Sequence, residues 1–150
     1  AFNEHTSLNV GASYRGRSGT MTNVLGAHPR RSGAETFILP RGSGGRLPWL
    51  NDFDTHLGFN QKLTGDYVLT VSLDVFNIFN FQQYTAVDQV YANANVRPIK
   101  DGVVDGELTP DKVTRTNGKP LTADLVNKNF KQPTIYQAPR QIRLGLKYTF

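Results

Sequence analysis

Four segments of the chain alternate apolar and polar residues with a period of two. In the first, Leu8, Val10, Ala12 and Tyr14 oppose Ser7, Asn9, Gly11, Ser13 and Arg15. In the second, Phe53, Thr55, Leu57, Phe59 and Leu63 oppose Asp52, Asp54, His56, Gly58, Asn60 and Lys62. In the third, Tyr67, Leu69, Val71, Leu73 and Val75 oppose Val68, Thr70, Ser72, Asp74 and Phe76. In the fourth, Ile142, Leu144, Leu146, Tyr148 and Phe150 oppose Gln141, Arg143, Gly145, Lys147 and Thr149. A period of two is the mark of a β-strand, whose successive side chains point to opposite faces. The pattern predicts strands over about residues 6–15, 52–63, 66–77 and 140–150. Each is close to the roughly 9–11 residues that a tilted strand needs to cross a bilayer. Ordinary strands average only about 5–6.

The connections carry a second pattern. A tight turn, Leu63-Thr64-Gly65-Asp66, joins the second and third segments, whereas residues 16–51 and 78–138 form long connections. Short turns alternating with long loops are the habit of outer-membrane barrels, with the short turns periplasmic. The fold expected is therefore all-β: an antiparallel transmembrane β-barrel segment of four C-terminal strands. Two long extracellular loops join them, and the barrel closes only with further strands. In this orientation the chain stops at Phe150 on the periplasmic interface, where an aromatic ring can anchor a strand end. Tyr67 and Tyr148 fall at that level and Tyr14 and Phe53 near the outer rim, giving two aromatic girdles. Asp54, His56, Asp74, Arg143 and Lys147 face the lumen. A ladder of opposite charges is expected there, because Arg or Lys facing lipid near the midplane costs about 2–4 kcal/mol. In the loops, Gly42-Ser43-Gly44-Gly45 and Pro29, Pro40 and Pro48 are breaker signals. Thr109-Pro110-Asp111 and Thr122 to Lys128 suit short helices.

Composition narrows the field. Mean hydropathy is −0.42, and no apolar run reaches the roughly 18 residues of a membrane helix. Alternating barrel strands are compatible with both facts. The absence of cysteine removes thiolate metal sites and disulfides and suits an oxidising compartment. Ala1-Phe-Asn-Glu-His has neither the basic start nor the apolar stretch of a signal peptide. An exported chain of this kind would be a mature form or a piece of something longer.

The net charge of +5 draws on six arginines between Arg15 and Arg46, set against Glu35. They are dispersed among Gly, Ser and Pro without interleaved aromatics, so a solvated basic loop is expected and not a nucleic-acid surface. Arg30, Arg31, Arg41 and Trp49 are the candidate ligand contacts of an outer vestibule, or of anionic lipopolysaccharide. His5, His28 and His56 lie far apart and predict no metal site. Asp101-Gly-Val-Val-Asp105-Gly-Glu107 does not follow the EF-hand spacing and reads as turn chemistry. No nucleophile elbow or phosphate loop occurs, and neither an enzyme nor a cofactor is expected.

Two strand motifs carry a family resemblance. Leu73-Asp74-Val75-Phe76-Asn77-Ile78-Phe79-Asn80 resembles the V-x-N-L-F-N signature of the penultimate strand of TonB-dependent outer-membrane receptors. Pro139-Arg140 through Phe150 is similar to the last strand of that family. Arg46-Leu47-Pro48-Trp49-Leu50 is similar to its Oar-like branch. The resemblance implies a barrel of 22 strands filled by a plug, energised through TonB, which would reach this segment only by way of the plug. It also implies that Leu144, Leu146, Tyr148 and Phe150 form the signal read by the barrel-assembly machinery. The remaining strands, the plug and outer-membrane lipid are then the partners. The alternatives are a separate barrel-completing subunit, a passive porin, and a soluble carbohydrate-binding β-sandwich.

Overall fold

The computed structural model describes residues 5–28, 31–99 and 108–150. In chain order the strands are β1 (Thr6–Arg17), β2 (Met21–Thr22), β3 (Leu25–His28), β4 (Arg31–Phe37), β5 (Gly45–Arg46), β6 (Leu50–Lys62), β7 (Val68–Phe76), β8 (Tyr84–Val87), β9 (Val90–Asn95), β10 (Pro133–Tyr136) and β11 (Gln141–Thr149). Two single 3-10 turns, Pro110–Lys112 and Ala123–Leu125, follow Thr109 and Thr122 at their N-caps. No helix among the described residues is long and apolar enough to cross a membrane. The chain divides into two units: residues up to Arg17 with Trp49–Gln83 and Gln137–Phe150, and Ser18–Pro48 with Tyr84–Tyr136.

The first unit is one antiparallel sheet in the order β1-β6-β7-β11. Its register aligns the alternating segments across all four strands. Val10 lies opposite Leu57, Leu57 opposite Leu73, and Leu73 opposite Leu144. The next row is Leu8, Phe59, Val71 and Leu146. A slip of one residue would turn every apolar side chain to the other face, so four matching alternations fix the register strongly. The tight turn is closed by the Leu63 N–H donating to the Tyr67 carbonyl at 2.8 Å. Gly65 takes φ +74 there, a conformation that glycine adopts without steric cost. The opposite end is where both long connections leave, since Arg17 pairs with Leu50 and Phe76 with Gln141. The sheet is open, with β1 and β11 at its edges, and no barrel closure is seen among the described residues.

The second unit corrects one expectation. The sequence pattern predicts long loops with turn and breaker residues and two short helices, but the connections carry seven short strands, two 3-10 turns and a core of their own. Val24, Ile38, Leu39, Tyr91, Ala92, Val96, Val113 and Leu121 are buried together. The first connection supplies three of these and the second supplies five, so neither could bury its apolar residues alone. The two are stitched by backbone bonds: β3 runs parallel to β9, Leu25 N–H donates to the Gln89 carbonyl at 2.9 Å, and Ile99 N–H to the Ile38 carbonyl at 2.8 Å. Gly26 allows the close approach, because a β-carbon there would collide with Val96. The Asp101–Glu107 turn lies outside the described residues.

Candidate functional site

The two faces of the first unit differ in chemistry. On one face stand the apolar rows, and almost nothing covers them: Leu144 is 78% exposed, and Leu8, Val10, Leu57, Phe59, Val71, Ile142 and Leu146 are exposed with it. Soluble monomers rarely leave so large a contiguous apolar surface bare. Aromatic rings close this face at both ends. Tyr67 stacks on Tyr148 at 5.8 Å between centroids, and Phe150 follows at 6.1 Å. At the other end Tyr14, Phe53, Phe79 and Phe81 form a chain of ring contacts between 5.4 and 6.5 Å.

The opposite face is polar and internally paired. Asp74 sits between His56, at 2.6 Å from Nδ1, and Arg143, at 3.0 Å from Nε. The three residues occupy one row, since His56 pairs with Asp74 and Asp74 with Arg143 in the register. Arg143 also lies over the Phe76 ring at 5.3 Å. Arg15 bridges Asp52 at 2.7 Å and Asp54 at 3.2 Å. Asn60 accepts from Thr70 Oγ1 at 2.7 Å and donates to Ser7 at 3.2 Å. Of the five polar-face residues singled out in the sequence, Asp54, Asp74 and Arg143 enter ion pairs, and His56 is bonded to the Asp74 carboxylate. The fifth, Lys147, faces Thr70 and makes no ion pair among the described residues. The basic partners of these pairs are exposed, so each pair contributes little in water.

Of the residues singled out as vestibule contacts, Arg41 and Trp49 have described side chains. Arg30 lies outside the described residues, as does the side chain of Arg31. Arg41 lies over the Phe37 ring at 5.1 Å. Trp49 stands at the rim of the apolar face: its indole nitrogen and the Tyr14 hydroxyl would both crowd a β-carbon on Gly16. Trp49 therefore belongs geometrically with the rim aromatics. Among the described residues no group of three His, Cys, Asp or Glu could hold a metal ion.

One buried constellation escaped sequence reasoning. Asn77, directly after β7, has φ +50 and is buried. Its Nδ2 donates to the carbonyls of Phe81 and Ala138 at 2.9 Å each, and its Oδ1 accepts from Phe81 N–H at 2.9 Å. Its own N–H donates to Asp54 Oδ1 at 2.9 Å. Asn80, at φ +54, accepts from the Arg140 N–H at 2.9 Å. The Asn-Ile-Phe-Asn stretch is a corner that ties the exit of β7 to the entry of β11. The signal was available: asparagine tolerates the left-handed region and can bond the backbone around it. In the second unit, burial pushes the Tyr91 phenol above its ordinary pKa, and the Asp111 carboxylate adds to the effect.

No family model matches the chain, and no solved structure matches it. In an alignment 151 positions long that covers 96% of its length, the chain is 46% identical to the TonB-dependent transporter Oar of Myxococcus xanthus. The aligned stretch makes up 14% of that protein, so the chain spans about one seventh of the length of the relative it matches. The resemblance read from the two strand motifs holds: over nearly its whole length the chain is similar to a portion of a TonB-dependent transporter.

Proposed function

We propose that the first unit is a stretch of barrel wall in a bacterial outer membrane, within a TonB-dependent transporter. The observation that carries the proposal is the uncovered apolar face, continuous across four antiparallel strands of 9 to 13 residues. Lipid is the environment in which such a face is stable, and the paired polar face then lines the lumen. The spacing of the aromatic ends agrees. From Leu63, which is bonded to Tyr67 across the turn, to Phe53 the chain advances ten residues, or about 33 Å along the strand, which a tilt of about 40° reduces to about 25 Å, the height of a barrel's apolar band. A β-sandwich would need a second sheet on the apolar face.

Open edges cannot remain unpaired in lipid, so further strands flank β1 and β11, from the same polypeptide or from another chain. The long connections lie on the extracellular side and contribute to the ligand vestibule. The intact protein imports a nutrient or handles a surface ligand, with energy delivered through TonB and a plug. The row Leu144, Leu146, Tyr148 and Phe150 is the part read by the barrel-assembly machinery.

The test uses the protein that carries this segment, reconstituted in lipid vesicles. Because the segment has no cysteine, Leu144→Cys and Lys147→Cys variants can each carry a fluorophore at that position. A lipid-borne nitroxide should quench the label at 144 strongly and the label at 147 weakly. Equal quenching at both, or quenching of 144 by aqueous iodide alone, would remove the lipid-facing assignment.

A further inference from the structure

The second unit contains an open cleft with a charge of one sign. Thr22, Gly45, Arg46, Tyr84, Val87 and Lys131 line it, around a cavity of about 280 Å³. Arg46 and Lys131 are its charged residues, and no carboxylate lines it. Asp88, whose backbone carbonyl accepts from the Lys131 N–H, has its carboxylate engaged elsewhere: it accepts from Val90 N–H at 2.9 Å and from Asn127 at 2.8 Å.

Both cations are positioned. Arg46 donates through Nη1 to the Gly19 carbonyl at 2.8 Å, which leaves other donors of its five for a ligand. Lys131 has φ +63, a left-handed conformation uncommon outside glycine and asparagine. Its N–H donates to the Asp88 carbonyl at 2.8 Å, and its ammonium rests 5.6 Å from the centre of the Phe130 ring. Phe130 in turn packs edge-on against the core residue Tyr91 at 5.2 Å. A strained residue held by its surroundings is a reason to look for a function. Gly44 and Gly45 line the cleft beside Arg46. A β-carbon on Gly44 would crowd Thr22, whereas Gly45, at φ +103, has open space where a side chain would stand.

We propose that this cleft binds an oxyanion, a carboxylate or phosphate, carried on a molecule of monosaccharide size. Arg46 and Lys131 grip the anion, since charge-assisted bonds to such groups are short and strong. Tyr84 and Val87 supply an apolar wall for the ring that carries it. The size of the cavity sets the limit, because binding sites for drug-sized molecules start at about 300 Å³. The premises lie within the second unit alone, so the cleft stands or falls separately from the membrane assignment.

The experiment is saturation-transfer NMR on the detergent-purified protein carrying this segment, with glucuronate, glucose 6-phosphate and glucose as probes. At least one of the anionic sugars should saturate while glucose does not, and the tighter of the two identifies the anion as carboxylate or phosphate. Lys131→Asn removes the charge and suits the left-handed backbone, and it should weaken that anion about tenfold. Arg46→Gln should do the same, Arg46→Lys should retain part of the binding, and Lys128→Asn, outside the cleft, should change nothing. Saturation by neither anion, binding of glucose equal to that of the anions, or unchanged binding in both Lys131→Asn and Arg46→Gln would overturn the assignment.

Discussion

Leu144 and Ile38 are both large aliphatic residues, yet the first is 78% exposed and the second 0%. The contrast extends to their units. The sheet strands run 9 to 13 residues in unbroken register and bury little between them. The strands of the second unit run 2 to 7 residues, with register shifts in β3–β4, β3–β9 and β8–β10. That unit instead buries a core gathered from two distant stretches of chain. One sequence thus uses apolar residues in two ways: as an outward surface matched to its surroundings, and as an interior hidden from water. Hydrophobic burial can hold the second unit together. The sheet depends on its hydrogen-bonded ladder and on the medium its apolar face meets.

The widest separation between the units should appear on truncation. Ile38→Ala empties a fully enclosed position and should cost the second unit about 2–5 kcal/mol. Leu146→Ala removes similar volume from an exposed position and should cost well under that. Limited proteolysis of the native protein reads the two separately, since cleavage within residues 18–48 reports the second unit. If Ile38→Ala leaves those sites protected, the buried core does not hold that unit and the contrast fails.

A charge probes the other side of the comparison. Leu144→Arg places a guanidinium in the middle of the apolar face. In lipid it should cost about 2–4 kcal/mol, read as a lower urea midpoint for folding into vesicles. In water the same change at an exposed position would be nearly neutral, within about 0.5 kcal/mol. Asn9→Arg, at an exposed position on the polar face opposite Gly58, is the control and should be tolerated in either medium.

The sheet was legible because its code is local. A residue and its neighbour two positions along declare the face, and four such segments with matching phase declare the sheet. The same phase puts Asp54, His56, Asp74 and Arg143 on one face, whereas the partners, Arg15 for Asp54 and Asp74 for His56 and Arg143, are set by the register. The second unit was not legible for the opposite reason. Val24, Ile38 and Leu39 have no period among themselves, and their partners Val96 and Val113 lie more than fifty residues away. Nothing near Leu25 announces a parallel pairing with Val90. The cleft cations Arg46 and Lys131 are separated by the same distance problem. Of the dispersed arginines of the first connection, Arg46 lines the cleft and Arg41 rests on Phe37, a difference that spacing along the chain does not announce.

Asn77 offers the finest cut between the two units, because there the sheet buries an amide whereas the second unit buries hydrocarbon. Asn77→Ala would strip the Phe81 N–H and the Phe81 and Ala138 carbonyls of their partner and place a β-carbon-bearing residue less suited to φ +50. Leaving buried backbone groups unpaired costs about 1–3 kcal/mol. Asn77→Gly separates the two contributions, since glycine takes the backbone conformation freely but makes none of the bonds. The temperature at which the folded protein loses its compact gel mobility should fall most for Asn77→Ala and part-way for Asn77→Gly. Proteolysis of the second unit should be unchanged in both. Should the two variants melt with the wild type, the entry of β11 is held by the ladder alone, and the corner is a consequence of the sheet and not one of its fastenings.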